Sequence, residues 1–362
     1  MISGIRSHRR IRFAGGGVVC HNSHMPFASP EITEPVDLCL DGGVLNPAAV
    51  GWSRHPLHRC NLSGRWPRKK RWDYWCVMSP VFAFSVTVAS IDYLGIAGVY
   101  LLDFHENRCD EAVRATPASR GIHPGERVGE PVRFAEGATR IEIEDSGTEV
   151  RMNVHWPGLA RQGLTADIIV RHPHGHETLN VVVPWDMRRF QFTSKQMALP
   201  AAGSIRLGAH TYDLPESESF AVLDFGRGIW PWRTRWNWAS CTTRSGDGVI
   251  GLNFGGQWTD RTGATENGIC RNGRLSKIQE SVCFQYDSAD FMKPWRIRSE
   301  DSEDVDLSFV PFYERKLKTH LIVAASSVHQ MFGRFNGRVR AEGEEIIIVD
   351  GLGWAEEHVA RW

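Results

Sequence analysis

The sequence predicts an all-β fold of two barrel-like halves, and three observations carry that expectation. Apolar residues alternate with small or polar ones along many short stretches, the period of a strand with one buried face. These stretches recur at intervals of about ten residues and are separated by Gly-, Asn- and Asp-containing turns, the spacing of a sandwich or barrel. No window longer than about ten residues shows clean i, i+3, i+4, i+7 apolar spacing, so helices are not expected. With 362 residues the chain is too long for one small core, and two domains are the natural division.

From the N-terminus, residues 1–24 are basic (Arg6, Arg9, Arg10, Arg12) and then glycine-rich. The apolar run at 14–20 is too short and too diluted for a secretory signal, so residues 1–30 read as a disordered or mis-assigned leader. A first β-barrel domain is expected over 31–225. In it Phe82, Phe84, Val86 and Val88 alternate, and 96–102, 149–155, 166–170, 179–183 and 220–225 read as strands. Gly226-Arg227-Gly228 and Pro231 follow the last of these and mark a seam. A second β-barrel domain is expected over 226–362, with strands at 236–242, 249–254, 282–286, 305–312, 317–324, 334–339 and 345–349. Its turns include Ser245-Gly246-Asp247-Gly248 and Arg271-Asn272-Gly273-Arg274, the latter with the Asn-Gly pair of tight hairpins.

Composition narrows the function. Lys and Arg number 42 and so do Asp and Glu, which removes the electrostatic footprint of a nucleic-acid binder. No apolar run reaches the roughly 18 residues of a membrane span. The eight cysteines contain no C-x-x-C pair; Cys76, Cys241 and Cys283 sit in apolar runs as small core residues, which reads as a cytoplasmic, reduced protein. The sequence has no G-x-S-x-G, H-E-x-x-H, P-loop or G-x-G-x-x-G motif, so no cofactor is expected. His172-Pro173-His174-Gly175-His176-Glu177 is interrupted by Pro and Gly and reads as an exposed loop, so no metal site is expected. Arg65 to Trp72 brings five cations and two Trp together, either as a solvated loop anchored by its rings, as a peripheral membrane contact or as an anion-binding site.

Fourteen Trp suit the walls of a pocket, since each pairs a large apolar body with one N–H. Two stretches carry candidate chemistry. In 220–238, Asp224 interrupts an apolar run and is followed by Arg227, Trp230, Trp232, Arg235 and Trp236-Asn237-Trp238. A carboxylate walled by Trp has its pKa raised by desolvation, or held low if Arg227 or Arg235 reaches it. In 251–268, Asn253, Gln257, Trp258, Asp260, Glu266 and Asn267 gather in a glycine-rich loop after a strand, and Glu266 is a candidate general acid or base. Trp295, His329-Gln330 and residues 353–358 are weaker candidates.

The segments Gly51-Trp52-Ser53-Arg54, Lys70 to Trp75, Asp92-Tyr93-Leu94-Gly95, Pro184-Trp185, Thr193-Ser194-Lys195-Gln196, Trp236-Asn237-Trp238, Thr265-Glu266-Asn267, Lys293-Pro294-Trp295-Arg296 and His329-Gln330 with Phe332-Gly333 resemble an uncharacterised bacterial family known only as a domain of unknown function. The resemblance spans roughly residues 31–362. The order Ser194-Lys195, Gly203, Asp224, Trp236-Asn237-Trp238 is more distantly similar to the carotenoid 1,2-hydratase and AttH-like group. That resemblance implies two lipocalin-like (calycin-type) β-barrels or half-barrels packed together, and addition of water to, or cyclisation of, apolar polyenes. Asp224 matches the group's acidic position, while Arg227 stands where the group more often has His or Glu with Trp.

Three functions follow as expectations. The first is a cofactor-independent hydratase, isomerase or cyclase on a small apolar molecule such as an isoprenoid. Asp224 or Glu266 is then the acid, Lys195 orients it, and Trp236 and Trp238 face the cation. Asn237, Asn253, Trp258, Asn267, Trp295 and Gln330 complete the ligand-binding set. The second is a non-catalytic lipid or isoprenoid binder. The third is a carbohydrate-active protein, which requires Asp224 and Glu266 at about 5–5.5 or 6.5–9.5 Å.

Overall fold

The computed structural model describes residues 18–19, 28–246, 248–320 and 325–362, and the leader expected at 1–30 falls almost wholly outside them. Among the described residues there is no α-helix, only the single 3-10 turns Pro47–Ala49 and Leu159–Arg161. Two large antiparallel sheets, curled as lipocalin-like half-barrels, account for nearly all of the structure.

Seven strands form the centres of these sheets and the contact between them: β1 (Lys69–Met78), β2 (Arg189–Leu207), β3 (Phe220–Ile229), β4 (Arg233–Ser245), β5 (Gly248–Gly256), β6 (Ala325–Ala341) and β7 (Glu344–Arg361). The first sheet has thirteen strands, with β1, β3 and β2 side by side at its centre. The second has ten, with β6, β7, β4 and β5 in consecutive order. The chain passes from one sheet to the other between Ile229 and Arg233.

Each sheet encloses its own core. Strands Thr139–Asp145 and Glu149–Trp156 alternate strictly between buried and exposed, so Ile141, Ile143, Val150, Met152 and Val154 all point inward. They meet Ile168, Phe190, Phe192 and Phe225. The second core holds Phe254, Ile297, Leu307, Phe309, Phe335 and Ile348. Each such side chain contributes roughly 1.5–3 kcal/mol by leaving water.

The central strands are longer than their hydropathy suggests. The strands expected at 305–312 and 317–324 form, over the described residues, one strand, Val305–His320. Its register against β6 shifts between Pro311 and Tyr313, and this bulge inverts the alternation that otherwise reads as a break. Likewise 334–339 and 345–349 are fragments of β6 and β7, whose remaining residues include the buried Met331, Phe332, Trp354 and Ala355 as well as polar side chains.

The cysteines depart from expectation at one point. Cys39, Cys60, Cys76, Cys241 and Cys270 are free and buried and Cys109 is free and half-buried, but Cys283 is disulfide-bonded. A uniformly reduced set is therefore corrected. Among the described residues no helix is long and apolar enough to cross a membrane.

Candidate functional site

Where the two sheets face each other, the strand ladders set up two opposed rows of side chains. In the first sheet Tyr74 on β1 is paired with Asp224 on β3, and Asp224 with Lys195 on β2. In the second, Gln330 on β6 is paired with Glu356 on β7, and Glu356 with Trp238 on β4. Residues paired across strands share a face, so each row is fixed by register alone. The rows touch: Gln330 Nε2 donates to Tyr74 Oη at 3.3 Å, and Lys195 Nζ lies 4.1 Å from the centre of the Trp238 ring.

Lys195 is the centre of this seam. Its Nζ is 2.9 Å from Asp224 Oδ1 and 3.2 Å from Glu266 Oε2, so one ammonium joins a carboxylate of the first sheet to one of the second. Lys195 and Glu266 are buried, and only 13% of the Asp224 side chain is exposed. Thr193, two residues before Lys195 and on the same face, donates its hydroxyl to Asp224 Oδ1 at 3.1 Å. Trp258 Nε1 donates to Glu266 Oε1 at 2.7 Å. Glu266 Oε2 approaches Lys195 as an ion pair without the alignment of a hydrogen bond. Trp238 is itself held by Asn253, whose Oδ1 accepts from Trp238 Nε1 at 2.8 Å and whose Nδ2 donates to the Glu266 carbonyl at 2.6 Å.

Two backbone features make the approach possible. A register shift follows Gln196, with Ala198 at φ 58°, so a bulge re-aims β2 immediately after Lys195. A Cβ on Gly255 would collide with the Glu266 carboxylate, so only glycine lets that side chain lie across β5.

Burial dominates the proton affinities. It raises the Glu266 pKa above the usual carboxylate value, opposed by the Lys195 charge. Burial works to lower Lys195, but Asp224 and Glu266 outweigh it and hold the ammonium above its ordinary value. Glu356, which accepts from Trp236 Nε1 at 3.1 Å, is pushed up by burial to about 7. Behind Glu266, burial lowers Lys277 to about 7 while its Nζ donates to Thr265 Oγ1 and the Asn267 and Ile278 carbonyls.

The expected site residues divide into two groups. Lys195, Asp224, Glu266, Trp238, Asn253, Trp258 and Gln330 converge on the seam, with Trp236 reaching it through Glu356. Asn237 and Asn267 are buried but committed: Asn237 donates to Tyr286 and the Glu356 carbonyl, Asn267 to the Glu280 carbonyl while accepting from Gly255 N–H. Trp295 stands apart in the second core, stacked on Tyr286 at 4.1 Å. Neither Arg227 nor Arg235 pairs with Asp224; Arg227 pairs with Asp73 and Arg235 with Glu357. The ring face of Trp238 is turned to Lys195. Thr193, Tyr74 and Glu356 lie inside the segments 193–196, 70–75 and 353–358 that the sequence marks, although it does not single them out individually.

The histidine-rich stretch does not converge. His172 lies 3.3 Å from Asp145, and His176 Nε2 is 3.1 Å from the Met197 carbonyl oxygen. Among the described residues no group of three or more His, Cys, Asp or Glu is placed to hold a metal ion. In the basic stretch Trp66 is 71% exposed, Lys69 and Arg71 pair with Asp92, and Lys70 is buried.

A family model described as a domain of unknown function (DUF2804) matches residues 29–362. No curated protein matches the chain. Among solved structures, an AttH-like protein from Nitrosomonas europaea is 13% identical, covering 90% of this chain and 98% of its own, with a TM-score of 0.50. CghA in complex with Sch210972 is 12% identical, covering 82% and 89%, also with a TM-score of 0.50. Kievitone hydratase from Nectria haematococca is 11% identical, covering 80% and 88%, with a TM-score of 0.43. At these identities the first two share the fold, and no reaction passes from them to this chain.

Proposed function

Since the chain belongs to the DUF2804 family, whose description names no reaction, we propose from the seam alone that it is a cofactor-independent proton-transfer enzyme. Its reaction is of hydratase, isomerase or cyclase type, on a small apolar molecule. The observation that carries this reading is the Lys195 ammonium joining Asp224 and Glu266 across the two sheets, in a setting that excludes water. Glu266 is the better acid of the two. Burial favours its protonated form, Trp258 fixes one oxygen, and the other has no aligned hydrogen bond among the described residues. Asp224, tied by Thr193 and Lys195, is the positioning carboxylate. The Glu266 carboxyl gives its proton to a carbon–carbon double bond. The resulting cation is quenched by water, whose proton returns to Glu266, or by loss of a neighbouring C–H proton to the same carboxylate.

The spacing also bears on glycoside hydrolysis. The paired Asp224 and Glu266 oxygens both lie within 3.2 Å of one Nζ, near enough for a retaining pair. The ammonium, however, occupies the space in which an anomeric carbon would sit, so the geometry disfavours a sugar substrate.

The test begins with native mass spectrometry of protein from its own host, before and after organic extraction. The co-purifying compound is then offered to wild type, Glu266→Gln and Asp224→Asn. Loss of about 10²-fold or more in kcat for Glu266→Gln, with the compound still bound, supports the assignment. Binding without turnover by wild type would leave a carrier instead of an enzyme.

A further inference from the structure

At the start of β1, a central strand of the first sheet, a second buried lysine has a different environment. Lys70 on β1 is 1% exposed, and among the described residues its Nζ has no hydrogen-bond or ion-pair partner. Two rings flank it, Tyr93 with its centre 5.2 Å away and Trp362 with its centre 5.5 Å away. Each of these rings carries a donor that is also without a partner: Tyr93 Oη and Trp362 Nε1. The nearest carboxylate, Asp92, is turned to Lys69 at 3.4 Å and Arg71 at 3.7 Å. The cluster therefore gathers three unpartnered donors, one of them cationic, and no carboxylate or carbonyl bonded to any of them among the described residues. Buried donors are almost always satisfied, so such a group of exceptions calls for a ligand bearing acceptor oxygens.

The apolar side of the cluster is equally specific. Trp362 stacks on Trp236 at 6.1 Å and meets Trp230 edge-on at 5.7 Å; Trp230 stacks on Trp258 at 5.3 Å. Trp258 is the residue that donates to Glu266. A continuous wall of indoles thus runs from Lys70 to the seam.

We propose that Lys70, Tyr93 and Trp362 form a binding site for an acidic head group, a carboxylate or a phosphate, on a molecule with an apolar tail. The tail rests on the reading of the seam as a site for an apolar ligand; the head-group site stands on the three donors by themselves. An anion here would pair with the ammonium and accept from the phenol and indole, in a medium where such bonds are strong. Burial lowers Lys70 to about 8, against the opposing pull of Asp92 and with the help of Arg68. Anion binding at this lysine should weaken as pH rises past 8.

The experiment measures binding of decanoate, decyl phosphate and 1-decanol, with acetate and inorganic phosphate as tail-less probes, to the full chain by titration calorimetry at pH 7. Lys70→Met, which keeps the length of the side chain, is expected to weaken decanoate or decyl phosphate at least tenfold and to leave 1-decanol unchanged. Tyr93→Phe is expected to weaken the same acids several-fold and, as it removes only a hydroxyl, it serves if Lys70→Met does not fold. Which acid is preferred separates carboxylate from phosphate. Equal binding of acids and alcohol, unaffected by either variant, would overturn the head-group site and leave the apolar-ligand reading intact. Lys70-dependent binding of acetate or phosphate, with no binding of any ten-carbon probe, would keep the head-group site and overturn the tail.

Discussion

Lys195 and Lys70 are both nearly excluded from solvent, yet the regions around them are built on opposite terms. At the seam, two carboxylates, a Trp face and an ordered set of donors surround one ammonium. At the start of β1, an ammonium, a phenol hydroxyl and an indole N–H have no hydrogen-bond partner among the described residues, and the ammonium lies beside both rings. A buried ion that is paired and hydrogen-bonded can persist at modest cost; an unpaired one works against folding. The seam ammonium is therefore paired by its own residues, whereas the Lys70 ammonium has no ion-pair or hydrogen-bond partner among the described residues. The difference separates an ammonium paired with two carboxylates from one that has only ring faces beside it.

The most disruptive way to break this contrast is Lys195→Met. It strands Asp224 and Glu266 in the seam and should cost about 3–5 kcal/mol in denaturant unfolding. Adding Glu266→Gln to that variant should recover part of the loss, because one of the two stranded charges is gone. A cost below 1 kcal/mol would mean that the carboxylates are not held by this lysine.

Lys70→Met should do the reverse and stabilise extracted, ligand-free protein by about 2–3 kcal/mol at pH 7. The sign with pH follows from the lowered pKa. Between about 8 and the ordinary lysine value of 10.5, the unfolded chain still holds a proton that the native state has released. Wild type should thus gain up to about 3 kcal/mol on Lys70→Met as pH rises through that window, and show the full penalty below it. Parallel stability curves for the two proteins from pH 7 to 10.5 would count against a buried, unpaired ammonium.

A finer probe is Trp258→Phe, which keeps the ring stack but removes the N–H from Glu266. It should cost roughly 1–2 kcal/mol and shift the alkaline limb of any pH–rate profile upward, since Glu266 acts in its protonated form and loses a donor to its charged form. A stability loss with an unmoved profile would make Trp258 a packing residue only. At the far end of the scale, Trp66→Ser on the exposed turn should change stability by less than about 0.5 kcal/mol and leave both lysine sites unaltered. A larger change measured by thermal unfolding would show that the exposed ring is packed against another part of the protein in solution.

Much of the fold was legible because strand alternation is local. Residues 139–156 show buried and exposed positions in strict succession, and the Asn272-Gly273 turn was readable from two letters. The bulged strand Val305–His320 was not, because a bulge shifts the alternation by one and looks like an end. At the site, Asp224 and Glu266 drew notice as charges inside apolar or glycine-rich stretches. Glu356 and Thr193 lay inside marked segments but were not singled out there, since a polar residue in a long central strand is ordinary until its face is known. Lys70 was one cation among five in Arg65–Trp72, and nothing local distinguishes a solvated lysine from a buried one.

By itself, then, the sequence determined the all-β class, the short-turn connections and the residue types that meet at the seam. It also contained the Trp-rich stretches on both sides of the Gly226–Pro231 junction. Only the tertiary structure decided that Lys195 joins Asp224 to Glu266, that the arginines beside Asp224 turn elsewhere, and that Lys70 lies between two rings. The physical reason is separation along the chain. Alternation and turn propensity act over a few residues, whereas the partners of Lys195 and Lys70 are set by strand register and by the packing of one sheet on the other, which no local pattern encodes.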